Sequence, residues 1–157
     1  MFHDDFDRTD FCNRLTRALT RFGWTCHAFC LMSTHYHLLV AVEQDRLQPG
    51  MHALNGPYAQ QFNKRHGRKG HLRGSPYGAR LISDDDDFLH VVRYIARNPV
   101  RAGLCSSPSD YVWSSYRGCA GYDVTGFPFV SNELVLRTYH DDVTQAQRLL
   151  RLHVEAV

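Results

Sequence analysis

The sequence predicts an α+β domain in which an antiparallel strand pair is flanked by helices. Three observations carry that expectation. Apolar residues recur at helical spacing in Phe11, Leu15, Ala18, Leu19 and Phe22, and again in Phe88, Val91, Val92 and Ile95. Between these stretches lie two runs rich in aromatic, cysteine and aliphatic residues, 24–32 and 35–43. Only the polar pair Ser33-Thr34 separates them, which is the pattern of two strands joined by a tight turn.

Taken in order, Asp7-Arg8-Thr9-Asp10 offers N-cap residue types for the first helix, and Gly23 ends it. After the two strands, Gln48-Pro49-Gly50 is expected to break the chain. Met51, Leu54, Tyr58 and Phe62 then mark a second helix, kinked at Asn55-Gly56-Pro57 because proline removes a donor and crowds the preceding turn. A short strand is expected within 77–82. Asp84-Asp85-Asp86-Asp87 reads as the cap and charged first turn of a third helix, where exposed amides favour carboxylates. That helix places Tyr94 and Asn98 off the centre of its buried stripe, with Arg93, Arg97 and Arg101 toward solvent. Pro99 is expected to end it and to push Asn98 out of helical geometry. The aromatic-rich 109–116 reads as a short helix pinned to the body. Ser131 and Asp142 are each expected to cap a C-terminal helix, the second with Gln145 in capping-box spacing and Leu149, Leu150 and Leu152 as its apolar side. This gives a body at 1–121 and a helical tail at 122–157.

The chain has 157 residues, 43% of them hydrophobic, enough for one compact domain with a real core. No stretch approaches the ~18 consecutive apolar residues of a membrane span. The acidic start Met1-Phe2-His3-Asp4-Asp5 is unlike a signal peptide, so a cytoplasmic protein with no membrane partner is expected. Five scattered cysteines without CxxC spacing indicate neither a disulfide framework nor a zinc ribbon. Cys26 and Cys30 could hold a metal with His27, but strand alternation puts His27 on the opposite face. The net charge of +2 conceals a segregation of sign. Lys64, Arg65, Arg68, Lys69, Arg73 and Arg80, with His66 and His71, occupy a stretch that holds no acid. Such a segment reads as a backbone-contacting loop for a polyanion, or more plainly as solvated basic surface.

The chemistry centres on His35-Tyr36-His37. Residues two apart on a strand leave the same face, so the imidazoles project together. Alone, the pair is also what a polar strand face looks like. Tyr94 and Asn98 lie one turn apart on the third helix. Together the four make a kit: His35, His37 and Asn98 to hold a divalent ion as Lewis acid, and Tyr94 as nucleophile toward a phosphodiester. Two nitrogen ligands favour manganese or zinc over magnesium.

The strings Met32-Ser33-Thr34-His35-Tyr36-His37-Leu38-Leu39-Val40, Arg93-Tyr94-Ile95-Ala96-Arg97-Asn98-Pro99-Val100-Arg101-Ala102-Gly103-Leu104 and Asp110-Tyr111-Val112-Trp113-Ser114-Ser115-Tyr116 resemble the signature blocks of REP-associated tyrosine transposases, members of the single-tyrosine HUH group. The similarity runs from about Phe2 to about Gly121, with the blocks in the family's order. The resemblance implies a ferredoxin-like α+β core whose central antiparallel sheet carries the histidine pair, and a bacterial enzyme that nicks and rejoins single-stranded DNA beside a hairpin. It further implies a divalent metal, Mg or Mn, a 5′-phosphotyrosine intermediate and a free 3′-hydroxyl. By position, His35 and His37 match the metal histidines, Asn98 the third ligand and Tyr94 the nucleophile. Lys64, Arg65, Arg68, Lys69, Arg73, Arg80, Arg97 and Arg101 are the expected DNA contacts, and the active form is expected to be a monomer or homodimer.

The chain departs from the family pattern at three places. The usual first strand and its Arg-Gly-Asn turn are absent ahead of Met1, so that strand is expected either upstream or missing. Ser33-Thr34 replaces the usual Pro-Asn, and Gly74-Ser75-Pro76-Tyr77 replaces Gly-Asp-Arg-Phe, which removes a DNA-facing arginine. Two rival readings stand beside the transposase: a catalytically silent DNA-hairpin binder, and a metal-dependent nuclease that uses water as nucleophile.

Overall fold

A computed structural model describes residues 1–72, 77–123 and 126–156. The elements run α1 (Asp5–Phe22), β1 (Thr25–Leu31), β2 (Tyr36–Ala41), α2 (Gln44–Arg65), α3 (Asp85–Arg101), a 3-10 turn (Pro108–Asp110), α4 (Tyr116–Cys119), α5 (Glu133–Tyr139) and α6 (Val143–Glu155). The fold is α+β, with β1 and β2 paired as a two-stranded antiparallel sheet. The chain divides into two compact units. One comprises Met1–Thr25, Ser33–His35 and Ala41–Arg80; the other comprises Cys26–Met32, Tyr36–Val40 and Leu81–Val157.

The first unit is built on α1 and α2. Asp4, not a residue of 7–10, is the N-cap of α1 and accepts from the Asp7 amide, while Gly23 closes the helix at φ 67°. The helix begins earlier than the sequence predicts because Asp7 is buried and serves a different purpose, described below. Phe11 meets Phe2 and Tyr58 edge-on, with ring centroids 5.3 and 5.2 Å apart. Leu15, Leu19, Met51, Leu54 and Phe62 are buried with them.

The break expected at Gln48-Pro49-Gly50 does not occur, and α2 continues unbroken through Pro57 as well. The reason is tertiary. The Trp24 indole lies where a side chain on residue 50 would stand, so glycine admits the ring against the helix backbone. A close-packed helix face outweighs the lost donor of a proline.

The second unit has its core beneath the hairpin. Ala28, Cys30, Met32 and Leu39 pack with Phe88, Val92, Ile95 and Ala96 of α3 and with Ala146, Leu150 and Val154 of α6. Asp84 caps α3 and accepts from the Asp87 amide at 2.8 Å, as its four-aspartate start predicts. Pro99 does not end that helix: α3 runs on to Arg101, so Asn98 stays helical in its last turn, and the proline itself is buried. No strand forms at 77–82.

Residues 111–115 are not helical, contrary to the short helix expected over 109–116; only the 3-10 turn and the single turn of α4 flank them. They serve instead as an edge for β1. The Leu31 amide donates to the Trp113 carbonyl at 2.9 Å and the Ser115 amide to the Phe29 carbonyl at 3.0 Å. Ser115 Oγ takes the Phe29 amide at 3.0 Å, and the Tyr111 hydroxyl donates to the Leu31 carbonyl at 2.7 Å. These bonds satisfy backbone groups of a buried strand that would otherwise be stranded.

At the C-terminus, Asp142 caps α6 and accepts from the Gln145 amide, as expected, but α5 is preceded by Asn132 rather than Ser131. The buried side of α6 is Ala146, Leu150 and Val154, while Leu149 and Leu152 are exposed. No helix among the described residues is long and apolar enough to cross a membrane.

Candidate active site

The site develops from two elements of the second unit. On β2, His37 shares its face with Leu39, which is buried in the core, so the histidine sits just outboard of the packed interior. On α3, the buried positions Phe88, Val92, Ile95, Ala96 and Pro99 leave Tyr94 and Asn98 on an adjoining face. The helix thereby presents the Tyr94 ring to the His37 ring, edge-on, with centroids 5.4 Å apart and planes at 83°. Tyr94 is 40% exposed, so its phenol is reachable from solvent. Asn98 donates its Nδ2 to the Tyr94 carbonyl at 3.1 Å. This turns the amide so that Oδ1 is the atom left to act as a ligand or acceptor.

His35 precedes β2, is exposed, and belongs to the first unit, where its Nδ1 lies 3.0 Å from Thr34 Oγ1. Arg101 completes the face of α3: its guanidinium carbon is 5.5 Å from the Tyr94 ring centroid.

Arg93 and Arg97 occupy the neighbouring stripe and serve another purpose. Arg93 donates to the carbonyls of His153 at 2.7 Å and Ala156 at 2.9 Å. Arg97 donates to Val154 and Ala156, both at 2.8 Å. The C-terminal carbonyls of a helix have no partners within it, and a cation there also meets the negative end of the dipole. The final turn of α6 is held further by Glu155, whose Oε1 accepts from the hydroxyls of Tyr116 at 2.7 Å and Tyr122 at 2.8 Å. These ties bind the last turn of α6 to the stripe of α3 that carries Arg93 and Arg97.

A family profile described as Transposase IS200 like matches residues 1–98. The chain belongs to the IS200-like transposase family. Its family is therefore one of enzymes that act on DNA, and the match takes in His35, His37, Tyr94 and Asn98. The edge region 111–115 and α4 to α6 lie beyond it. No curated protein and no solved structure matches the chain.

Within this family member, the basic segment divides by surroundings. Lys64, Arg68 and Lys69 are exposed, Arg68 lying 5.8 Å over the Phe62 ring. Arg80 is exposed as well, and Arg73 lies outside the described residues. Arg65 is committed to protein: it forms a bidentate pair with Asp4 at 2.9 and 2.7 Å and reaches Asp7 at 2.7 Å. His66 Nε2 sits 3.0 Å from Asp7 Oδ2, and the His3 amide donates to the same oxygen at 2.8 Å.

Burial alone would raise the Asp7 carboxyl, but the His3 amide, His66 and Arg65 together hold it below its ordinary value. Asp4 is held down to about 2, chiefly by its hydrogen bonds with Arg65. His3, Asp7 and His66 also form a group of potential metal ligands whose donor atoms lie within 4.8 Å of one another. Arg65 is the cation already serving that carboxylate. Sequence reasoning missed this network because its partners are about sixty positions apart and Asp7 resembles an ordinary cap.

The cysteines carry no part of the site. Cys12, Cys30 and Cys119 are buried, and burial pushes their thiols up to about 12, away from the thiolate that binds metal.

Proposed function

We propose that the chain cuts and rejoins single-stranded DNA beside a hairpin, with Tyr94 as the nucleophile. The observation that carries this reading is the solvent-reachable Tyr94 ring set edge-on against His37 at 5.4 Å, in a chain of a transposase family.

The phenolic oxygen of Tyr94 attacks phosphorus and the bond from phosphorus to the 3′ oxygen breaks. The phenol loses its proton and the departing 3′ oxygen gains one. The products are a 5′-phosphotyrosine and a free 3′-hydroxyl. One phosphodiester is exchanged for another, so the reverse step rejoins strands without a nucleotide cofactor.

His35, His37 and Asn98 are the residues that would hold a divalent ion, Mg or Mn. Two imidazoles and an amide oxygen suit manganese better than the harder magnesium, and the Asn98 Nδ2 contact with the helix backbone leaves its oxygen for that purpose. When bound, the ion supplies a positive charge to phosphate oxygens. Lys64, Arg68 and Lys69 track the DNA backbone as exposed, salt-sensitive contacts. The reaction takes place in the cytoplasm, with the protein a monomer or homodimer.

The test is incubation of single-stranded hairpin DNA, labelled separately at each end, with protein and manganese, followed by a denaturing gel. The expected result is that the 3′-labelled piece migrates with protein while the 5′-labelled piece is released shorter. Identical products from wild type and Tyr94→Phe would refute Tyr94 as nucleophile. Salt-sensitive binding with no adduct would leave the silent hairpin binder.

A further inference from the structure

We infer that Arg101 grips the phosphate under attack at Tyr94, an inference that rests on Tyr94 being the nucleophile. Three observations converge on it. Positions 94, 98 and 101 are spaced to fall on one face of α3, so the guanidinium shares the face that carries the phenol and the carboxamide. The guanidinium carbon lies over the Tyr94 ring, 5.5 Å from its centroid, so the cation is carried on the same ring as the attacking hydroxyl. Arg93 and Arg97, by contrast, are bound to the carbonyls that end α6. Among the described residues, no carboxylate or carbonyl accepts from Arg101, which is exposed.

The plain alternative is a cation at a helix C-terminus, favoured there by the dipole. The carbonyls that such a residue would serve are already taken. Ala102 N–H donates to Asn98 at 2.9 Å, Gly103 N–H to Val100 at 3.0 Å and Leu104 N–H to Pro99 at 2.9 Å. The side chain also turns to the ring a full two helical turns earlier, away from that end.

A guanidinium is suited to the task, because its planar fork meets two phosphate oxygens at once and stays charged at any working pH. Attack by the phenol adds electron density to the non-bridging oxygens of the phosphate. A cation already held over the ring that bears the attacking oxygen stabilises that charge in the transition state more than in the bound ground state. Arg101 would thus act on the rate of the step more than on the affinity for DNA.

The experiment measures the single-turnover rate of adduct formation with manganese for wild type, Arg101→Gln and Arg101→Lys. Each is tried on a normal hairpin strand and on one with a neutral methylphosphonate at the cut position. Arg101→Gln is expected to slow the normal strand by about 100-fold, the usual loss for one preorganised donor. Lysine keeps the charge but loses the fork, and is expected to recover about a tenth of the wild-type rate or more. On the neutral linkage the standing charge is removed and a methyl group replaces one of the two oxygens that the fork would meet, so Arg101→Gln should match wild type within about threefold. DNA affinity without metal should also change by less than about threefold, since one phosphate contact among many is lost.

A normal strand cut equally fast by Arg101→Gln overturns the inference, as does an equal slowing on both linkages, which would mean a displaced helix rather than a lost grip. If wild type itself forms no adduct, the Tyr94 reading falls first and takes this one with it. Because Arg101 has no acceptor among the described residues, unchanged circular dichroism and thermal unfolding are expected for both variants.

Discussion

The ties from α3 to α6 make a quantitative prediction about what holds the last turn of α6. Arg97→Ala removes two hydrogen bonds to the carbonyls of Val154 and Ala156. Arg93→Ala removes two more, to His153 and Ala156. A hydrogen bond to a charged group contributes roughly 1.5–3 kcal/mol; each arginine has one part-buried bond, at the low end of that range, and one exposed bond that adds about 0.5 kcal/mol. Each single variant should therefore lose about 2 kcal/mol. The two guanidinium groups share the Ala156 carbonyl and serve one helix end, so the double variant should lose about 3 kcal/mol, short of the sum. Hydrogen exchange at the amides of α6 is the suitable assay, because it reads the opening of that helix without assuming that both units unfold together. Singles within about 0.5 kcal/mol of wild type, or a double equal to the full sum, would refute the idea that these arginines jointly hold the helix end.

Three further outcomes are expected. Arg97→Ala should leave the salt dependence of DNA binding unchanged, whereas each of Lys64→Ala, Arg68→Ala and Lys69→Ala should flatten the slope of log affinity against log salt by about 0.7, measured by fluorescence anisotropy. Arg65→Met should shift acid unfolding to higher pH: Asp4 has a folded pKa of about 2 against an ordinary 3.8, so its contribution is complete above pH 4 and lost as pH falls toward 2, and without Arg65 that window closes. Gly50→Ala should destabilise the first unit by about 1–3 kcal/mol in urea, because a methyl group there runs into the Trp24 ring, and a neutral outcome would mean that the indole has room to move.

How far the sequence foretold the molecule depends on how local the deciding contact is. The helix of Phe11, Leu15 and Leu19, the strands on either side of Ser33-Thr34 and the helix capped by Asp84 all follow from periodicity and short-range caps, and all are present. The errors come from partners far along the chain. Pro49 and Gly50 read as a break because nothing nearby announces that Trp24 will fill the space over residue 50. The aromatics of 109–116 read as a helix because the bonds that make them an edge run to Phe29 and Leu31. Pro99 read as a terminator, yet its burial in the last turn keeps α3 going.

The site shows the same division. The spacing of Tyr94 and Asn98 and the motif of His37 placed them as candidates, and the structure sets the tyrosine and histidine rings together. The arginines were legible only as charge. Whether a guanidinium meets solvent, as at Arg101, or a carboxylate and a helix end, as at Arg65 and Arg97, is decided by segments about sixty residues away.

The most direct test of the central claim is mass spectrometry of protease-digested protein after reaction with hairpin DNA and manganese. A single modified peptide is expected, containing Tyr94 and carrying the 5′-phosphorylated end of the cleaved strand, and it should be lost when the metal is chelated. Cleavage with no such peptide, or with the DNA joined to a different residue, would contradict the claim.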